Sequence, residues 1–82
     1  MATINISCKI LSDAEERKYK SKDGSIQSYF CMYMFTEDNR MCLLKMYSEH
    51  LEKLKKGKWY KLYRILAVSQ KELKMQSTSK VL

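Results

Sequence analysis

The tightest constraint on the fold is the stretch from Arg40 to Val68, RMCLLKMYSEHLEKLKKGKWYKLYRILAV, which reads as a strand, a short helix and a second strand. Cys42, Leu44 and Met46 alternate with Met41, Leu43, Lys45 and Tyr47, the period of two of a pleated strand. Ser48 can cap a helix whose apolar residues are Leu51 and Leu54, and Gly57 can end it in the left-handed conformation. Two leucines suffice only to plug one end of a β structure, so the helix is expected to be structural. Lys53, Lys55, Lys56 and Lys58 read as partners of its C-terminal dipole and as solvated surface. Trp59 then opens the longest aromatic and β-branched run in the chain. Trp59, Lys61, Tyr63, Ile65 and Ala67 stand opposite in parity to Tyr60, Leu62, Arg64, Leu66 and Val68.

The flanking segments add three more strands. Ile4, Ile6, Cys8 and Ile10 alternate with less apolar neighbours and mark a first strand with one face buried. Ser12 to Ser28 is polar and charged, with a turn signal at Asp23-Gly24. Ala14 to Lys20 has helix propensity but no apolar stripe, so a hairpin arm or loop is the preferred reading. Tyr29 to Thr36 is apolar at nearly every position, a second strand that wants cover on both faces. Glu37, Asp38, Asn39 and Arg40 form the turn into the third strand, and Trp59 to Val68 is the fourth. Leu73, Met75, Ser77 and Val81 are assigned to a fifth.

Composition bounds the class. The 82 residues are read as a single domain spanning 1–82, and with no proline and two glycines order is expected nearly throughout. Lys+Arg 16 against Asp+Glu 9 gives +7, which favours anionic partners, although a lysine-rich solubilising surface carries the same signature. No basic leader precedes an apolar run and no window has the length of a membrane span, so a soluble, intracellular protein without a membrane partner is expected. Cys8, Cys31 and Cys42 are odd in number, far apart and inside strands, and His50 is the only histidine. They are read as three small buried hydrophobes, with no disulfide, metal or other cofactor.

Five strands with a helix between the third and fourth is the order of an OB-fold, so the expected fold class is all-β, a five-stranded OB-fold barrel. Two stretches also resemble a family, the OB domains of the replication protein A large subunit and related single-strand DNA binders. ISCKILSDAEERKYKS (Ile6 to Ser21) is similar to that family's first strand and first loop, where alternation is followed by a basic residue, a spacer and an aromatic. MYSEHLEKLKKGKWYKL (Met46 to Leu62) is similar to its aromatic closing strand three, amphipathic helix, and lysine with tyrosine opening strand four. The resemblance implies that Tyr47 stacks on a base, that Arg17 contacts the strand and that Tyr19 is the aromatic of the first loop. It turns Cys31, Tyr33 and Phe35 inward and leaves Phe30, Met32 and Met34 on the binding face. It further implies a role in DNA replication or repair, and hence the nucleus. The chain departs from the family in the apolar character of that face and in a short connection between strands four and five.

Chemistry leads to the same ligand. Holding a flexible polyanion without sequence preference needs cations for phosphates and flat rings for bases. Arg17, Lys18, Lys20, Lys45 and Lys74 can supply the first, and Tyr19, Phe30 and Tyr47 the second. The competing readings are a rim aromatic for Tyr47, a core residue under the first loop for Phe30, and a solvated loop for Arg17 and its neighbours. Stacking and phosphate contacts serve single-stranded DNA and RNA alike. One domain gives modest affinity, so a further domain, subunit or identical copy is expected to assist. The second hypothesis is a protein-interaction or oligomerisation module that uses a methionine-rich face of Met32, Met34, Met41 and Leu43 to hold a partner helix or a second sheet. An enzyme is not expected: there is no glycine-rich phosphate loop, no nucleophile signature, and one histidine without an evident carboxylate partner.

Overall fold

The computed structural model describes residues 2–82, so Met1 of the expected 1–82 domain lies outside the described residues. The chain is mainly β. Its strands are β1 (Thr3–Ile10), β2 (Glu15–Lys20), β3 (Ile26–Thr36), β4 (Met41–Met46), β5 (Trp59–Ser69), β6 (Glu72–Lys74) and β7 (Lys80–Val81), with a 3₁₀ helix over Ser48–Lys53. They form one seven-stranded mixed sheet in which β1 pairs β3, β3 pairs β4, β4 pairs β6, β6 pairs β5 and β5 pairs β1. This makes a partial ring of five strands, with the three-residue β6 as its short segment and β4–β6 as its parallel pairing. β2 folds back on β3 as a hairpin arm, and β7 lies on β5. No helix among the described residues is long and apolar enough to cross a membrane.

The ring encloses a core of Ile6, Cys8, Ile10, Met32, Met34, Cys42, Leu44, Met46, Leu54, Leu62, Ile65, Leu73 and Met75. The alternation expected for the first and third strands is therefore the one observed. The second strand is reversed: Met32 and Met34 are 2% and 0% exposed, Phe30 packs half-buried against the core, and Tyr33 is 50% exposed. The assignment of Phe30, Met32 and Met34 to an outer face is thus corrected, and with it the methionine-rich docking face. Cys31 is buried as well, but on the outer side under β2, where its thiol lies 3.7 Å from the Glu15 carbonyl.

The cause is the length of one turn. Read as four residues, Glu37 to Arg40 would set Phe30, Met32 and Met34 level with the Lys45 and Tyr47 parity. The turn is instead closed by Thr36 and Arg40: the Thr36 N–H donates to the Arg40 carbonyl at 2.8 Å and the Arg40 N–H to Thr36 Oγ1 at 3.0 Å. Asn39 takes the left-handed conformation at φ 64, as the last residue of a three-residue hairpin loop does. Phe35 is thereby set opposite Met41 and Cys31 opposite Lys45, and a shift of one residue turns every side chain of a strand to the other face.

Other expectations need smaller corrections. Tyr47, not Ser48, occupies the N-cap position, and no side-chain hydrogen bond caps the helix among the described residues. The helix stops at Leu54, with Lys53 in its last turn and Lys55, Lys56 and Lys58 just beyond it. Gly57, at φ 85, serves the turn into β5, and its N–H donates to the Ile10 carbonyl at 2.7 Å. Within β5 the buried parity switches from Leu62 to Ile65 at a bulge where Arg64 has φ 58, opposite the register shift between Ile4 and Ile6. The Asn5 side chain accepts the Arg64 N–H at 3.1 Å, and the Arg64 carbonyl accepts from Ser79 Oγ at 2.7 Å and Gln76 Nε2 at 3.0 Å. Gln76 and Ser79 lie between β6 and β7, so these bonds hold the break that divides the expected fifth strand into two pieces, both paired with the edge of β5 that β1 leaves free.

Two outcomes follow from this packing. Because a β-branched residue disfavours the left-handed conformation, Asn39→Val is expected to destabilise the protein by roughly 1–2 kcal/mol, and Asn39→Gly to leave it close to parent, in urea unfolding. All three thiols are free and buried, and burial together with neighbouring Cys42 pushes Cys8 up to about 11. Burial also raises Cys42. Ellman's reagent at about pH 8 is therefore expected to react slowly with the folded chain and to titrate all three thiols promptly in denaturant.

Candidate nucleic-acid interface

The register that buries the methionines turns Tyr29, Cys31 and Tyr33 of β3 outward together with Leu43, Lys45 and Tyr47. Hairpin pairing then sets Arg17 opposite Tyr29 and Tyr19 opposite Gln27, so the outward parity of β2 extends the same surface. On the far side the parallel pairing sets Lys45 level with Lys74, and Lys74 opposite Leu66. The result is an open groove of about 440 Å³ lined by Tyr19, Tyr29, Lys45, Tyr47, Leu66 and Lys74, with Met46, Val68 and Glu72 completing its wall. A second depression of about 300 Å³ shares Tyr47, Leu66 and Lys74 with it and runs on past His50 and Gln76.

Rings and ammonium groups are interleaved in the groove. Tyr19 and Tyr29 are tilted at 55° with centroids 5.8 Å apart. The Tyr19 and Tyr47 hydroxyls lie 3.3 Å apart, which brings the hairpin arm and the end of β4 together over the groove. Lys45 Nζ sits 5.4 Å from the Tyr29 ring centre and Lys74 Nζ 5.6 Å from that of Tyr47. Both are within cation–π range. Lys45 is also bridged to Glu72 at 3.0 Å, whereas Lys74 makes no ion pair among the described residues. The hydrogen bond to Tyr47, aided by burial, raises the Tyr19 pKa above the ordinary phenol value. Tyr19 is uncharged at neutral pH, as an ordinary phenol already is, and sets no negative charge in the groove.

His50 borders the second depression. Its Nε2 lies 3.0 Å from the Gln76 carbonyl, which can only accept, so the proton sits on Nε2. Nδ1 is buried and without a hydrogen-bond partner among the described residues.

Of the residues singled out from the sequence, Tyr19, Lys45, Tyr47 and Lys74 meet in the groove. Arg17 stands beside it, its guanidinium 3.8 Å from the Glu15 carboxylate. Lys18 and Lys20 are exposed on the opposite face of the hairpin, level with Ser28 and Ile26. Phe30, Met32 and Met34 belong to the core and its border. Sequence reasoning missed Tyr29, Leu66 and Val68. Tyr29 was recoverable from Lys45: once a lysine marks the outer parity of β4, the residues on its row in β3 must also face outward, given the three-residue turn. No protein-family model matches the chain, and no curated protein matches it either.

Proposed function

We propose that this chain is an OB-fold domain that binds single-stranded nucleic acid, DNA in the first instance, without catalysing a reaction. Its fold half is supported by the strand order. If β1 and β2 are one interrupted first strand, then β3, β4, β5 and β6 are the second to fifth. The ring then runs first–second–third–fifth–fourth, with the helix between third and fourth. Such barrels hold oligonucleotides on the face of strands two and three, between the first hairpin loop and the loop joining strands four and five.

One observation carries the ligand half: three tyrosines and two lysines share one groove on that face, with the rings available for stacking and the ammonium groups beside them for phosphates. The hairpin arm supplies Tyr19 on one side, and β5 and β6 supply Leu66 and Lys74 on the other. Only Gln70 and Lys71 join β5 to β6, so that wall is low and the groove stays open. Affinity from one groove is expected to be modest and to rise when a second domain, subunit or copy engages the same strand.

The test is fluorescence polarisation of a labelled oligo-dT of about 12 nucleotides, titrated at about 50 and 200 mM salt. Tyr29→Ala and Tyr47→Ala are each expected to weaken binding by about 5- to 100-fold, as for the loss of one stacked base. Lys74→Ala should weaken it and lower the salt slope by about 1, while Lys18→Ala, on the far face of the hairpin, should change the affinity much less. A folded parent without saturable binding at low salt, or tyrosine variants that bind like the parent, would sink the proposal. Equal competition by oligo-U would widen the ligand to RNA.

A further inference from the structure

A second cationic and aromatic surface lies at the other end of β4. Trp59, the chain's only tryptophan, opens β5 and is 54% exposed. It stands directly opposite Lys9 of β1, and the row continues through Phe35 of β3 to exposed Met41 of β4. Met41 and Tyr47 are six residues apart on one extended strand, so this row lies about 20 Å from the Tyr47 end of the groove at ~3.3 Å per residue.

Lysines surround the tryptophan. Lys55, Lys56 and Lys58 are exposed on the loop that precedes it, Lys61 follows on the same parity, and Lys9 faces it across the ladder. The loop is held at both ends. The Lys55 N–H donates to the Tyr60 hydroxyl at 2.7 Å, Gly57 N–H to the Ile10 carbonyl at 2.7 Å, and Ile10 N–H to the Lys58 carbonyl at 3.1 Å. None of these five lysines makes an ion pair among the described residues. Glu37, a carboxylate near Ser7, accepts the Ser7 N–H at 3.0 Å and bridges none of these lysines. Lys61 does approach a ring, its Nζ lying 5.8 Å from the centre of Tyr63.

We infer that Trp59 and its lysines form a second contact for single-stranded nucleic acid, in which a base stacks on the indole and the loop lysines take the flanking phosphates. Charge complementarity is the argument for the occupant. Unneutralised cations gathered on a pinned loop repel one another, and a polyanion relieves that repulsion while the broad indole offers a sequence-tolerant platform. The identity of the ligand rests on the proposed function; the surface itself does not depend on the groove.

Because Trp59 is the only tryptophan, its selectively excited fluorescence reports on this surface directly. The experiment titrates oligo-dT into the parent and into a Tyr29→Ala/Tyr47→Ala variant at low salt, with polarisation of a labelled oligo-dT read in parallel. Saturable quenching of Trp59 in both proteins, reversed by salt, is the expected result. Quenching that persists when the groove variant has lost none of its polarisation signal would support this contact and overturn the groove. Trp59→Ala should weaken binding of a long oligo-dT by about 5- to 100-fold. Lys56→Glu with Lys58→Glu should reduce both the quenching and the salt slope. Binding seen by polarisation with no change at Trp59, and parental affinity in Trp59→Ala, would overturn the second contact and leave the groove intact. A blue shift of Trp59 on phosphatidylserine vesicles without any response to oligo-dT would overturn it in favour of an anionic lipid surface. No response in either channel would overturn both contacts.

Discussion

Much of this structure depends on the closure of one hairpin. The two bonds between Thr36 and Arg40 make the turn three residues long, and Asn39 absorbs the left-handed step that this length requires. The side chain of Thr36 also bonds Asp38, whose carboxylate holds Arg40 at 2.8 Å, so the turn is reinforced from its own residues. Arg40 in turn donates to the Gln70 carbonyl at 2.8 Å, which ties this turn to the connection between β5 and β6. Everything downstream in register follows: methionines pack inward, tyrosines and Lys45 face outward, and the groove exists because they do.

A second device lies at the opposite edge of the ring. The bulge at Arg64 exchanges the buried parity of β5, which lets Leu62 and Ile65 both reach the core although they are three residues apart. Its cost is a non-glycine residue at positive φ, a conformation that L-residues disfavour. The compensation is local, since the N–H of Arg64 is taken up by Asn5 and its carbonyl by Ser79 and Gln76. The same bonds bring β7 to β5 and leave the groove side of β5 to Leu66 and Val68.

The two surfaces divide the charge of the chain unequally. In the groove, one of two lysines is partly neutralised by Glu72, and the rings provide most of the wall. Around Trp59 the cations are more numerous, and the indole is the most exposed broad ring beside them. On the proposed reading, a flexible polyanion would gain chiefly from stacking at the first and chiefly from phosphate contacts at the second, a difference that salt dependence separates.

What the sequence determined by itself was the inventory of strands and their local periodicity. Ile4 to Ile10, Cys42 to Met46 and the turn at Asp23-Gly24 were legible because each is decided within a few residues, by alternation or by turn chemistry. Lys45, Tyr47, Tyr19 and Lys74 were legible as candidates because cations and flat rings are what a flexible polyanion needs, and Tyr19 and Tyr47 also because of the family resemblance. Tyr29 to Thr36 carried no such signal: with apolar residues on both parities, composition is silent about which side is core. That choice passed to the length of the Thr36–Arg40 turn and to the cover that β2 lends to Cys31, both of them long-range or stereochemical facts. The parity switch at Arg64 and the division of the last strand were hidden for the same reason, since they rest on hydrogen bonds to Asn5 and Ser79 far along the chain. Local pattern can say that a segment is a strand; only pairing with its neighbours decides which of its faces meets water.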